Sequence, residues 1–191
     1  MENIKNTSVI EFATSDLESM NCSQLSDYVV QKHHQYAIKA IAQIKPLIEK
    51  VVAMNATYHP QMKSIKDYFR LISNELQLHM QKEELVLFPY IHKLVSADKD
   101  GTQLTTPGFG SIKSPVSVML TEHETIGIMA QKVVRLSSGF KAPADVNDTV
   151  LELYARLKEF DEDLQEHVRL ENDILFPKAI ELEQKLLFAS E

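Results

Sequence analysis

Two stretches of the chain, HMQKEELVLFP from His79 and HVRLENDILFP from His167, share the pattern H-x-x-x-E-x-x-x-L-F-P at a separation of 88 residues. This repeat restricts the fold more than any other feature, because each copy lies inside a run of helical periodicity. Around the first copy, Ile65, Phe69, Ile72, Leu76, Val86 and Leu87 recur at steps of three and four, and His79 and Glu83 fall on the same stripe. A histidine and a glutamate four apart are neighbours on any helix, and with seven histidines roughly one such pair arises by chance. Two pairs lying on apolar stripes are a different matter. Burying those polar groups is costly unless something compensates them, and a metal ion would do so.

Four periodic segments can be traced. The first begins near Ser23 and carries Val30, Ala37, Ile41, Ile44, Ile48 and Val51 on one face, with Pro46 expected to kink it. The second runs from about residue 61 to 95, the third from Pro115 to about Leu136, and the fourth from about residue 147 to 187. "DKDGTQLTTPGFGSIKSP", with three of the five glycines, and "SSGFKAPADVND" are the connections. So few glycines, without turn residues every ten or so positions, argue against a β-sandwich. The expected fold is all-α, an up-down-up-down four-helix bundle over residues 23–188, preceded by a loosely attached tail over residues 1–22.

The other two helices also offer histidines. His123 shares a face with Val116, Leu120 and Ala130, while the first helix carries His33 and His34 on the flanks of its apolar face. His123 precedes His167 by 44 residues and His34 precedes His79 by 45, so the chain reads as two copies of one helix pair. Periodicity alone does not separate His33 from His34; the repeat interval leans toward His34. His59 and His92 have no partners on a stripe and stay outside the site. Glu75, four before His79, and Glu122, next to His123, read either as solvated acids or as groups just behind the metal ligands. The Leu-Phe-Pro ends are expected to cap the polar layer and curtail their helices, since proline removes a backbone donor.

His34, His79, His123 and His167 with Glu83 and Glu171 make four imidazoles and two carboxylates, a donor set suited to iron, manganese or zinc. With both glutamates bridging and two histidines on each ion, about ten of twelve positions of a six-coordinate, oxygen-bridged pair are filled, leaving roughly two open. The single cysteine, Cys22, excludes an internal disulfide and a multi-cysteine site within the monomer. A net charge of −7 without a basic patch argues against nucleic acid or an anionic membrane as partner. Acidic residues and no long apolar run in the first twenty positions leave neither a signal peptide nor a membrane span, so the expected location is the cytoplasm.

The stretches "LSDYVVQKHHQY", "HMQKEELVLFPYI", "FGSIKSPVSVMLTEHE" and "HVRLENDILFPKAIEL" resemble the hemerythrin-like domain of the iron–sulfur cluster repair di-iron proteins, the RIC family, over about residues 23–186. The resemblance implies two non-haem iron ions, oxo- and carboxylate-bridged, with His34, His79, His123 and His167 as ligands and Glu83 and Glu171 as bridges. His33 falls where that family tolerates other residues, and Glu75 and Glu122 fall on acidic positions near its iron pair. It further implies a stress protein that restores iron–sulfur clusters damaged by nitrosative or oxidative stress, with damaged iron–sulfur proteins as iron acceptors and nitric oxide or oxygen as small ligands. The alternative within the same fold is an oxygen or nitric oxide binding or sensing protein without repair activity. A di-iron enzyme usually has a carboxylate-rich site, and four histidines count against one. Typical members also carry an N-terminal domain with a vicinal cysteine pair; residues 1–22 here hold only Cys22, so the resemblance does not carry over the steps that need those thiols.

Overall fold

The computed structural model describes residues 14–55, 57–105 and 107–188, and among these there are eight α-helical segments and no strand. They are α1 (Thr14–Ser19), α2 (Cys22–Val29), α3 (Gln35–Asn55), α4 (Gln61–Lys82), α5 (Phe88–Asp100), α6 (Lys113–Leu136), α7 (Asp148–Leu170) and α8 (Phe176–Phe188). Three π-helical segments, Val30–His34, Glu83–Leu87 and Glu171–Leu175, join α2 to α3, α4 to α5 and α7 to α8 without a break. The result is four long rods, the third being α6 alone. Cross-contacts give their directions. Lys66 meets Glu49 while Glu84 meets His34, so rod two runs antiparallel to rod one. The pairs Arg156–Gln43 and Asp163–His33 give the same sense for rod four against rod one, and α4 packs on α6 through His79–His123 and Lys82–Glu122. This is the up-down-up-down bundle.

Local chemistry starts and stops the rods where the sequence supplies it. Asn21 caps α2 with its side chain on the Gln24 amide, and the Gln24 side chain returns the bond to Asn21, each at 3.0 Å. At α7 the Asn147 side chain accepts from the Val150 amide at 3.2 Å. Gly101 ends α5 in the left-handed conformation (φ 62°), where a side chain would be strained. Pro46 lies inside α3, which continues past it to Asn55.

Two expectations are corrected. The tail is helical from Thr14, and Leu17 is buried against the core beside Cys22 and Leu25, so the ordered body starts before residue 23; residues 1–13 lie outside the described ones. The Leu-Phe-Pro motifs do not curtail their helices, since α5 runs on to Asp100 and α8 to Phe188. The π segments explain this. Phe88 and Phe176 donate their backbone N–H groups to the carbonyls of Glu83 and Glu171, five residues back, and the widened turn accepts the proline ring that an α-turn would push against the carbonyl four residues earlier. The same extra residue turns Val86 outward, leaving it 46% exposed although the α-period put it on the stripe. Leu120, expected inside, is also exposed.

The apolar interior comes in two parts. One is built by Ile41, Ile44, Phe69, Leu76, Leu157 and Phe160 with their neighbours, the other by Leu25, Leu87, Ile91, Ile112, Leu175 and Phe176. Each rod crosses from one to the other at the same level: after Val29 and before Ala37 in rod one, between Met80 and Leu87 in rod two, between Met119 and Ile126 in rod three, and between Leu164 and Leu170 in rod four. That level is polar.

Candidate metal centre

The polar layer holds His33, His34, His79, Glu83, His123, His167 and Glu171, all of them buried, with His79, Glu83 and Glu171 at 0% exposure. Helical spacing sets His79 one turn before Glu83 and His167 one turn before Glu171, and the π segments start at the two glutamates. Two overlapping groups result. The ligand atoms of His34, Glu83, His167 and Glu171 lie within 4.8 Å of one another, as do those of His79, Glu83, His123 and Glu171. Both glutamates belong to both groups.

Each carboxylate divides its two oxygens between the groups. Glu83 sets Oε2 3.3 Å from His34 Nε2 and Oε1 3.4 Å from His79 Nε2, while Glu171 sets Oε1 3.2 Å from His167 Nε2 and Oε2 3.2 Å from His123 Nε2. These contacts are poor hydrogen bonds: the four carboxylate oxygens and Nε2 of His34 and His167 are buried with no hydrogen-bond partner. Nε2 of His79 and Nε2 of His123 face each other at 2.9 Å. Such a set of inward lone pairs is unfavourable alone and favourable around cations, so the residues present fit a metal pair with two shared carboxylates.

The outward nitrogens are anchored. Nδ1 of His34 donates to Glu84 (2.7 Å), Nδ1 of His79 to Glu122 (3.0 Å) and Nδ1 of His123 to Asn172 (2.8 Å), which turns each Nε2 inward as a lone-pair donor. Lys82 in turn pairs with Glu122. Phe88 stacks on His34 and Phe176 on His123, so the phenylalanine of each Leu-Phe-Pro motif covers the lone histidine of its own half. In the metal-free state burial pushes the His79 imidazole down, but the close carboxylate of Glu83, then Glu171 and Glu122, raise it to about 9. His34 is raised for the same reasons, burial opposing and Glu83 and Glu84 prevailing. Burial would lift the Glu171 carboxyl, yet His167 and His123 hold it well below its usual range.

All six residues singled out from the sequence meet in this layer. Of the adjacent pair, His34 and not His33 enters the two groups, although both are buried, because the π segment Val30–His34 turns two consecutive imidazoles inward. Glu122 lies behind His79, whereas Glu75 is exposed. His59 sits near Asp145, and His92 bonds Ser23 and Ser26, both outside the cluster. Sequence reasoning missed Glu84 and Asn172. Their signal was positional, since each directly follows the glutamate of its motif.

A four-helix bundle whose core is interrupted by a buried histidine–glutamate layer is the architecture of a metal-binding bundle protein. The model of the hemerythrin HHE cation binding domain matches residues 26–179, and the chain belongs to that family. Among similar proteins, the iron–sulfur cluster repair protein DnrN of Neisseria gonorrhoeae is 32% identical over 155 residues, 81% of this chain and 89% of its own length. The iron–sulfur cluster repair protein YtfE of Musicola paradisiaca is 32% identical over 153 residues, and the chain spans 63% of that longer protein. YtfE of Escherichia coli O81 is 28% identical over 166 residues, 86% of this chain and 69% of the relative. Among the described residues no helix is long and apolar enough to cross a membrane.

Proposed function

We propose that the chain is a di-iron protein that repairs iron–sulfur clusters damaged by nitrosative or oxidative stress. His34 and His167 would hold one iron and His79 and His123 the other, with Glu83 and Glu171 across the pair. When bound, such a pair supplies exchangeable ferrous or ferric iron and open positions for small ligands. The protein's own part is to anchor the imidazoles through Glu84, Glu122 and Asn172 and to keep the layer between two apolar cores. The observation that carries the reading is the pair of overlapping four-residue groups sharing both buried glutamates. The names of the similar proteins support the repair role. The same reading makes it a cytoplasmic protein, with damaged iron–sulfur proteins as acceptors and nitric oxide or oxygen as small ligands.

The test loads the protein anaerobically with ferrous iron, counts metal per chain, and mixes the reduced form with an enzyme whose [4Fe–4S] cluster has been damaged by nitric oxide. Two irons per chain and recovered enzyme activity are expected, with neither in the His34→Ala and Glu83→Leu variants. One metal per chain overturns the dinuclear site. Reversible binding of nitric oxide or oxygen with both irons retained and no recovery overturns repair in favour of a carrier or sensor.

A further inference from the structure

The internal repeat makes the two halves of the site comparable residue by residue. His34 corresponds to His123, His79 and Glu83 to His167 and Glu171, and Glu84 to Asn172; the residues just before the lone histidines are His33 and Glu122. At that last position the halves differ most. Glu122 stands at the rim, with 23% of its side chain exposed, and accepts from Nδ1 of His79. His33 is 1% exposed, because the π segment Val30–His34 turns it inward, and α6 contains no such segment.

His33 has the anchoring pattern of the ligating imidazoles. Its Nδ1 lies 3.0 Å from Oδ1 of Asp163, and since a carboxylate only accepts, Nδ1 donates. Asp163 stands four residues before His167, as the exposed and uninvolved Glu75 stands before His79. With the ring proton on Nδ1, the lone pair of the imidazole lies on Nε2; that atom is buried and has no partner, like the Nε2 atoms of His34 and His167. Yet His33 belongs to neither four-residue group. Its ring is parallel to that of His167 within 7°, with centroids 5.4 Å apart, and parallel rings at that separation do not converge on one ion. The His33 ring therefore lies against a member of the His34/His167 group without belonging to that group.

We infer that His33 is a positioning residue: its Nε2 accepts a hydrogen bond from a protic small ligand, water in the resting protein, held by the cation at the His34/His167 position. The two metal positions are then inequivalent, and exogenous ligands that carry an O–H or N–H group are oriented at this one. The inference rests on the metal-centre reading above and adds an asymmetry that the six ligands alone do not contain.

The experiment compares ⁵⁷Fe-loaded wild type, His33→Phe, which keeps a ring on His167 without an acceptor, and His33→Gln, whose amide oxygen can accept. Iron per chain should be equal in all three, since the ligands are intact. The wild type should give two Mössbauer doublets of equal area. In His33→Phe one doublet should change its quadrupole splitting while the other stays, and His33→Gln should return it toward the wild-type value. Glu122→Gln, which alters the partner of His79, should shift the other doublet and so identify it. Loss of one iron in His33→Phe would make His33 a ligand and overturn the inference, as would unmoved doublets or equal shifts in both. A wild type that holds no iron pair overturns the metal-centre reading itself, and this inference with it.

Discussion

Replacing both shared glutamates by methionine, in the Glu83→Met/Glu171→Met double variant, should stabilise the metal-free protein while abolishing metal capture. Both carboxylates are 0% exposed, and none of their four oxygens has a hydrogen-bond partner. A buried polar atom left unpaired costs about 1–3 kcal/mol, so the four oxygens alone would account for about 4–12 kcal/mol. Attraction to the imidazoles at 3.2–3.4 Å offsets much of this, as the depressed Glu171 carboxyl attests. Once the carboxylates are gone the buried imidazoles lose their protons, so no uncompensated charge is left; exchanging a buried ionic cluster for apolar side chains of similar volume typically gains about 1–4 kcal/mol, and methionine has the unbranched length of glutamate. In a domain of this size each kcal/mol moves the midpoint by about 2–4 °C, giving a rise of about 2–16 °C. The assay is thermal unfolding after chelation, then again with ferrous iron. The wild type should gain about 4 kcal/mol at a thousandfold excess of iron over Kd, and the variant nothing. A metal-free double variant that melts below the wild type would refute the reasoning, because it would mean that the attraction of the carboxylates to the imidazoles outweighs the cost of burying them.

Two further outcomes can be checked on the same material. His79 is raised in the metal-free fold from 6.5 to about 9, so the stability contributed by its charged form is complete below about 6.5 and is lost as pH rises through about 9. Urea midpoints of the chelated protein should therefore fall between pH 6.5 and 9, while iron, which needs the neutral imidazole, binds more tightly over the same interval; midpoints that rise contradict the assignment. Glu183, 2% exposed in α8, accepts from the Tyr90 hydroxyl (2.7 Å), the Ser111 hydroxyl (2.6 Å) and the Ile112 amide (2.9 Å), tying the connection before α6 to α5 and α8. Glu183→Leu leaves the Tyr90 hydroxyl and Ile112 amide unpaired and should cost about 2–6 kcal/mol in denaturant unfolding; a loss under about 1 kcal/mol would mean water replaces the carboxylate.

The sequence by itself determined the four amphipathic rods and five residues of the layer, because helical periodicity places His79, Glu83, His123, His167 and Glu171 on apolar stripes, and the repeated motif marks the two His–Glu pairs among them. It could not separate His33 from His34, since neighbours 100° apart on an α-helix flank one face equally, and the π segment that turns both inward leaves no trace in the hydrophobic period. The same segments carried Pro89 and Pro177 inside continuous helices and turned Val86 out, against rules that assume α-geometry throughout. The anchors were equally out of reach. Glu84 reaches His34, Asn172 reaches His123 and Asp163 reaches His33 across sequence separations of 50, 49 and 130 residues. A polar residue on a helix flank reads as solvated until packing brings a donor to it. Which acid lies behind an imidazole and which stays in water, Glu122 or Glu75, is decided by the angle at which a neighbouring helix packs, a property of the assembled bundle and of no single segment.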